Sequence, residues 1–446
     1  MPARMWKHGI HSFLELLRHH LPDSIDYMLA FICLAYQMMA LLYETVPAFE
    51  DTWIECLGDL GRYRMAIEDE DIRDRETWAG VARSWYTKAA DKNPTIGRLY
   101  HHLAILARPN ALHQLYYYAR SLTCVKPFSS ARSSILILFD PILGRTSVAY
   151  AHALPIDTSF IKVHALLFEE LSAEEFLSAE HQFITNLDSH IGRVTSKWKE
   201  QGIYIAVSNI AGMFEYGKEG NTLFQVFLTE IHKMAKTSPP VVEETLRTAS
   251  PADQQQPSPP SIPEYELPQK LEELAQGAAF TNAKSIMNKT FALVLRRIGD
   301  KNVLPHVHVM LSYLTTLASN EHVSYFLADI PWTELVLFLN TLIRTENLLP
   351  TQNQRQIQDI NALLSADVFP GMGERKDELP LPEDYLVRGL IWSHNYFPVK
   401  WFEREHDEEE RYLELASTVR NRIERILRLG FQLAKVSPLP QVPMTL

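Results

Sequence analysis

Five prolines constrain this chain more than any other feature. Between residues 5 and 140 they stand at positions 22, 47, 94, 109 and 127. Each falls between stretches whose apolar residues recur at three- and four-residue spacing. Proline lacks a backbone donor and clashes with the preceding turn, so it sits where helices start or stop. The pattern predicts consecutive helices over 5–20, 24–46, 50–67, 74–92, 96–107, 110–124 and 128–139, an all-α stack.

The third of these helices organises the rest. In DTWIECLGDLGRYR, residues 51–64, helical spacing puts Trp53, Cys56, Leu57, Leu60, Tyr63 and Ile67 on one side and Glu55, Asp59, Arg62 and Ala66 on the other. One side packs and the other presents charge. Gly58 and Gly61 each cost about 1 kcal/mol relative to alanine in a helix, so a neighbouring backbone is expected close to Arg62.

The chain has 446 residues, enough for two or three domains, and its 46% hydrophobic content is that of a globular protein. Residues 1–140 read as one helical domain and 141–236 as its continuation. Residues 237–268 are rich in Pro, Ser and Gln and read as a disordered linker, followed by a helical region over 269–446. Within the last region, helices are expected over 269–297, 303–328 and 331–345, whereas 365–400 reads as loop. The final helix carries a stripe of Leu413, Val419, Ile423, Ile426 and Leu427 opposed by Arg420, Arg422, Arg425 and Arg428, which reads as a solvated basic face. A weak repeat aligns Tyr86 with Tyr116 and Ala89 with Ala119, as in tetratricopeptide helix pairs.

Composition excludes some functions. A net charge of -11 argues against non-specific coating of nucleic acid, which needs surplus cations to displace counterions. Three cysteines with no CxxC pair exclude a disulfide framework or zinc site and fit a reducing compartment, cytoplasm or nucleus. The apolar run over 27–43 is short for a bilayer and is expected to be a buried helix, with no membrane partner. No phosphate-binding loop, dinucleotide fingerprint, nucleophile elbow or HExxH is present, so neither catalysis nor a cofactor is expected. The segment SSILILFDP, 133–141, is expected to be a helix rather than a strand bearing a catalytic carboxylate.

Two constellations remain. His11 and Arg18 share a face of the first helix, seven residues apart, and would join Arg62 and Tyr63 if that helix packs beside the third. Two or three cationic donors and a phenol suit a phosphoserine, which carries about -1.5 to -2 charge. Asp59, one turn before Arg62, would equally make an ordinary helix ion pair. The second constellation is the stretch from Lys92 to Phe139, which holds no acid. Its Lys92, Arg98, Arg108, Arg120, Lys126 and Arg132 would form a nucleic-acid surface unless acids on neighbouring helices balance them.

The segments WIECLGDLGRYR, WYTKAADKNPTIGRLYHHLAILA, LYYYARSL and KPFSSARSSI resemble the domain shared by the telomerase subunit Est-one and the SMG adaptors of nonsense-mediated mRNA decay. The resemblance is strong over about 5–140 and weaker in PEDYLVRGLIWS and RNRIERILRLG. It implies a 14-3-3-like, tetratricopeptide-related domain that binds phosphorylated partners such as a decay factor. It also implies phosphate contacts from Arg62 and Tyr63, with the two earlier basic positions at His11 and Arg18. His11 stands where phosphopeptide-binding relatives carry Lys, and Lys7 lies one turn away. The telomerase branch implies the other partner, RNA or telomeric single-stranded DNA. The first helix matches what is an internal helix in the family, so a preceding helix is expected.

Overall fold

The computed structural model describes residues 2–69, 71–146, 154–237, 262–345, 367–369, 378–403, 411 and 413–436. Most of the expected linker lies outside them. The fold is all-α: among the described residues there are isolated backbone bridges, such as that between Cys124 and Leu390, but no strand.

The first helices follow the predicted bounds within a few residues. A π-helical turn, Met5–His11, runs into α1, Ser12–His19. Then come α2, Ile25–Thr45; α3, Glu50–Ala66; α4, Ile72–Lys92; α5, Gly97–Leu106; and α6, Ala111–Thr123. Asp71 caps α4 and Asn110 caps α6 through their side-chain oxygens, which satisfies amides that a helix start otherwise leaves unpaired. Each helix packs on the next in sequence. The segment 131–142 is helical, as expected, in α7, Ala131–Ser134, and α8, Leu136–Ile142.

The glycines of α3 do what their positions require. A Cβ on Gly58 would stand 2.9 Å from the Tyr86 ring, and one on Gly61 would stand 3.2 Å from the Ala82 Cβ and 3.3 Å from its backbone. Thus α4 crosses α3 at close range, next to Arg62. The predicted apolar side of α3 is buried against α1 and α2. Its other side is covered as well. Glu55, Asp59 and Arg62 are half-buried, because α4 packs over this side and Arg98 of α5 reaches Glu55.

Helix α2 departs from expectation. Only Met28, Ile32, Ala35 and Met39 are buried, whereas Tyr27, Leu34 and Leu41 are 72, 64 and 61% exposed. The reason is geometric: α1, α3 and α4 reach one side of α2, as in the bonds from Trp85 Nε1 to the Tyr36 hydroxyl at 2.8 Å and from Lys88 Nζ to the Tyr43 hydroxyl at 2.6 Å. By length and composition alone, α2 would also cross a membrane.

The remaining helices build a second, larger core. They are α9, Pro155–Phe168; α10, Ala173–Val194; α11, Trp198–Met213; α12, Thr222–Thr237; α13, Leu267–Gln276; α14, Ala278–Leu295; α15, Leu304–Ala318; α16, Trp332–Thr345; α17, Pro382–Val387; and α18, Ala416–Val436. Helix α11 is apolar nearly all round and touches α6, α14 and α15, so it forms the axis of this half. The apolar core runs from Ala104 to Leu433 and so crosses the boundaries expected at 140 and 236.

Of the four arginines expected on a solvated face of α18, Arg420 is exposed, whereas the other three are not. Arg422, Arg425 and Arg428 are 1, 0 and 1% exposed. Arg422 holds Glu383 with two hydrogen bonds, at 2.6 and 2.8 Å, and also bonds Glu414 at 2.6 Å. Arg425 donates to Asp384 at 2.5 Å, and Arg428 faces Glu378 at 3.4 Å. Apart from Glu414, these carboxylates come from residues 378–384, in the stretch that the sequence leaves as loop. Buried charge of this kind survives only when paired and hydrogen-bonded. The sequence-distant pairing turns a predicted surface face into an internal clasp.

Candidate phosphate site between the first and third helices

Ile10 and Leu14 fasten the first helical segment to the core, and this anchoring turns His11, Glu15 and Arg18 toward Tyr63 of α3. The Tyr63 hydroxyl donates to one oxygen of Glu15, while Arg18 Nη2 stands 2.7 Å from the other. The His11 ring meets the Tyr63 ring edge-on, with centroids 6.3 Å apart. The Tyr63 hydrogen bond, with the charges of Arg18 and His11, holds the Glu15 carboxyl below its usual range against a smaller opposing effect of burial. Burial and the same carboxylate push the Tyr63 phenol up, so it stays protonated and donating.

Arg62 comes from the same helix as Tyr63. Its guanidinium lies 5.3 Å from the Tyr63 ring centroid, and Nη2 faces Asp59 at 3.4 Å, a long pairing. Its Nε is buried with no hydrogen-bond partner among the described residues. The same Asp59 oxygen accepts the Tyr86 hydroxyl at 2.6 Å, and the His102 ring stacks on Tyr86 at 4.7 Å. Burial works against ionisation of Asp59, but His102, Arg62 and the Tyr86 hydroxyl outweigh it and lower its pKa. Burial drives His102 down to about 3. The imidazole is therefore neutral at physiological pH, and Arg62, with Arg98 as a smaller contributor, supplies the positive charge that keeps Asp59 ionised.

The structure thus brings His11, Arg18 and Tyr63 together on Glu15, with Arg62 against the Tyr63 ring but paired to a second carboxylate. Lys7 is exposed on the preceding π-helical turn. Sequence reasoning missed Glu15, although a signal was present: it lies four residues after His11 and three before Arg18, on their shared face.

Part of the charge of the acid-free stretch is balanced or enclosed. Lys92 pairs with Glu50 and lies 3.7 Å from Asp51, and Arg98 meets Glu55 at 2.5 Å. Acids of α3 supply this balance. Arg120 is only 4% exposed and spans the two halves, bonding the hydroxyls of Tyr116 and Tyr100 and the backbone carbonyl of Arg388 at 2.7 Å. Arg132 donates to the Tyr216 carbonyl at 2.9 Å and lies 4.5 Å from the Phe168 ring centroid. Lys126 is half-buried, and Arg108 is exposed. Arg120 cannot reach a phosphate backbone, because its guanidinium is enclosed and committed.

Comparison with known proteins follows the helical framework more than the site. The family described as the Est1 DNA/RNA binding domain matches residues 82–397, more than half of the chain, and the match begins beyond Tyr63. The chain is 41% identical over 88 residues to the telomerase-binding protein EST1A of Danio rerio, which is 19% of this chain and 5% of that protein. It is 37% identical over 86 residues to the nonsense-mediated mRNA decay factor SMG7 of Arabidopsis thaliana, 19% of this chain and 8% of that one. The matches thus span less than a tenth of either relative. With most of its helical framework inside the family's matched span, the chain belongs to the Est1 DNA/RNA binding domain family.

Proposed function

We propose that this protein is a non-enzymatic adaptor that docks a phosphoserine-bearing segment of a partner protein between α1 and α3, in RNA surveillance in the cytoplasm or nucleus. One observation carries the reading: a phenol from one helix and a guanidinium from another converge on the two oxygens of a single carboxylate, Glu15. A position that already holds one oxyanion has the donors to hold another. Arg62, with an unpaired Nε, adds charge, His11 lies against the Tyr63 ring, and Lys7 is an exposed cation on the preceding π-helical segment. Charge-assisted hydrogen bonds of this kind contribute roughly 1.5–3 kcal/mol each. The relatives' names place them in telomerase binding and mRNA decay, and the surveillance role is carried over from the second.

The family's description is consistent with a second reading, DNA or RNA binding, which here would use the 92–132 cations on RNA or telomeric single-stranded DNA. Ion pairs to Glu50 and Glu55 and the burial of Arg120 weigh against it. A pull-down with phosphoserine peptides separates the two. Arg62→Glu is expected to abolish peptide capture and leave any RNA binding intact. Steeply salt-dependent single-strand binding that ignores Arg62→Glu, with no peptide capture by either protein, would favour the second reading.

A further inference from the structure

We propose that Glu15 is a built-in occupant of the phosphate seat, and that it sets the seat's charge threshold: phosphomonoester dianions enter, and singly charged carboxylates do not. This inference rests on the docking reading above and names what the site admits.

The argument starts from where the Glu15 oxygens lie. One accepts the Tyr63 hydroxyl and the other faces Arg18 at 2.7 Å, so both donors that an incoming oxyanion needs are already engaged. Glu15 is fixed on the same helix as Arg18, one turn away, and its effective concentration at these donors is on the order of millimolar or more. A ligand carboxylate would exchange one negative charge for another. It would gain no Coulomb energy and would still lose its translational and rotational freedom. A phosphate brings nearly twice the charge and three acceptor oxygens, so it can take both donors and still draw on the charge of Arg62, whose guanidinium lies 5.3 Å from the Tyr63 ring centroid.

Displacement itself is easy. The Glu15 side chain keeps 26% of its surface exposed and Arg18 keeps 56%, so a change of rotamer moves the carboxylate into water without breaking the core formed by Ile10 and Leu14. Asp59 cannot play this part, because it is committed to Tyr86 and Arg62.

The test uses fluorescence anisotropy with the full chain and two nonapeptide libraries, one with a fixed central phosphoserine and one with Glu at that position. The wild type is expected to bind the first and not the second. Glu15→Gln keeps an acceptor for Tyr63 and removes the charge. It is expected to bind the phosphoserine library about tenfold more tightly, the scale of one charge-assisted bond, and to begin binding the Glu library. Glu15→Ala, which removes the acceptor as well, is expected to match it. If both variants bind phosphoserine no more tightly than the wild type, while Arg62→Glu still abolishes capture, Glu15 only orients its neighbours and the inference is overturned with docking intact. If no form shows phosphate-dependent binding, the docking reading fails and this inference fails with it.

Discussion

Tyr63 is the residue on which both helices of the site depend. Its ring is buried in the first core while its hydroxyl serves Glu15. Tyr63→Phe should keep the packing and lose the bond, lowering stability by about 0.5–1.5 kcal/mol in urea titration and weakening phosphopeptide binding several-fold. Gly61 sets the distance to α4. Gly61→Val would drive branched atoms into the Ala82 backbone and should cost roughly 1–3 kcal/mol in the same measurement, although valine is the better helix former. At this scale the sequence was legible where apolar spacing spoke. Trp53, Cys56, Leu57, Leu60, Tyr63 and Ile67 all face the core that their periodicity predicts. Glu15 was not legible as a site residue, because a search for cations reads past the carboxylate that they surround.

Among elements, α18 is clasped to α17 and to Glu378 just before it, a polar contact between distant parts of the chain. Burial opposes the charge on Glu383, yet Arg422 and His308 hold its carboxyl far below the ordinary value. A carboxyl whose folded pKa is depressed stabilises the fold above its unfolded pKa, about 4.3, and that contribution is lost as pH falls toward the folded value. The wild-type Tm should therefore drop as acid is added below about pH 4. Glu383→Gln leaves Arg422 with Glu414 alone, and should cost roughly 3–5 kcal/mol at neutral pH and flatten that acid slope in calorimetry. Spacing along α18 showed one apolar and one basic side, and a helix with two such sides is ordinarily half-solvated. The partners, Glu378, Glu383 and Asp384, lie some forty or more positions earlier. No local pattern announces so distant a pairing.

The molecule as a whole is joined where residues 386–391 meet α6 and the turn before α5. Tyr116 donates to the Leu386 carbonyl at 2.8 Å, Ile391 N–H to Thr123 at 2.8 Å, and Val125 N–H to Gly389 at 3.1 Å. Gly389 has φ of +81°, and a Cβ there would stand 1.9 Å from the Pro94 carbonyl oxygen. Gly389→Val should therefore lower the Tm by several degrees and raise hydrogen exchange in α6 and α17 together. Exchange rising in α17 alone would show that the two halves do not unfold cooperatively. The order and approximate bounds of the helices over 5–124 were readable along the chain because helices are local. The continuous second core was not, since contacts of α11 with α6, α14 and α15 join segments that no sequence window contains.

The central claim concerns one seat between α1 and α3, and a crystal of the protein grown with O-phosphoserine tests it most directly. The phosphate should lie within hydrogen-bond distance of the Tyr63 hydroxyl and the Arg18 guanidinium, with the Glu15 carboxylate turned out to solvent. Phosphoserine bound only at Lys92 or Arg108, with Glu15 still holding both donors, would contradict it.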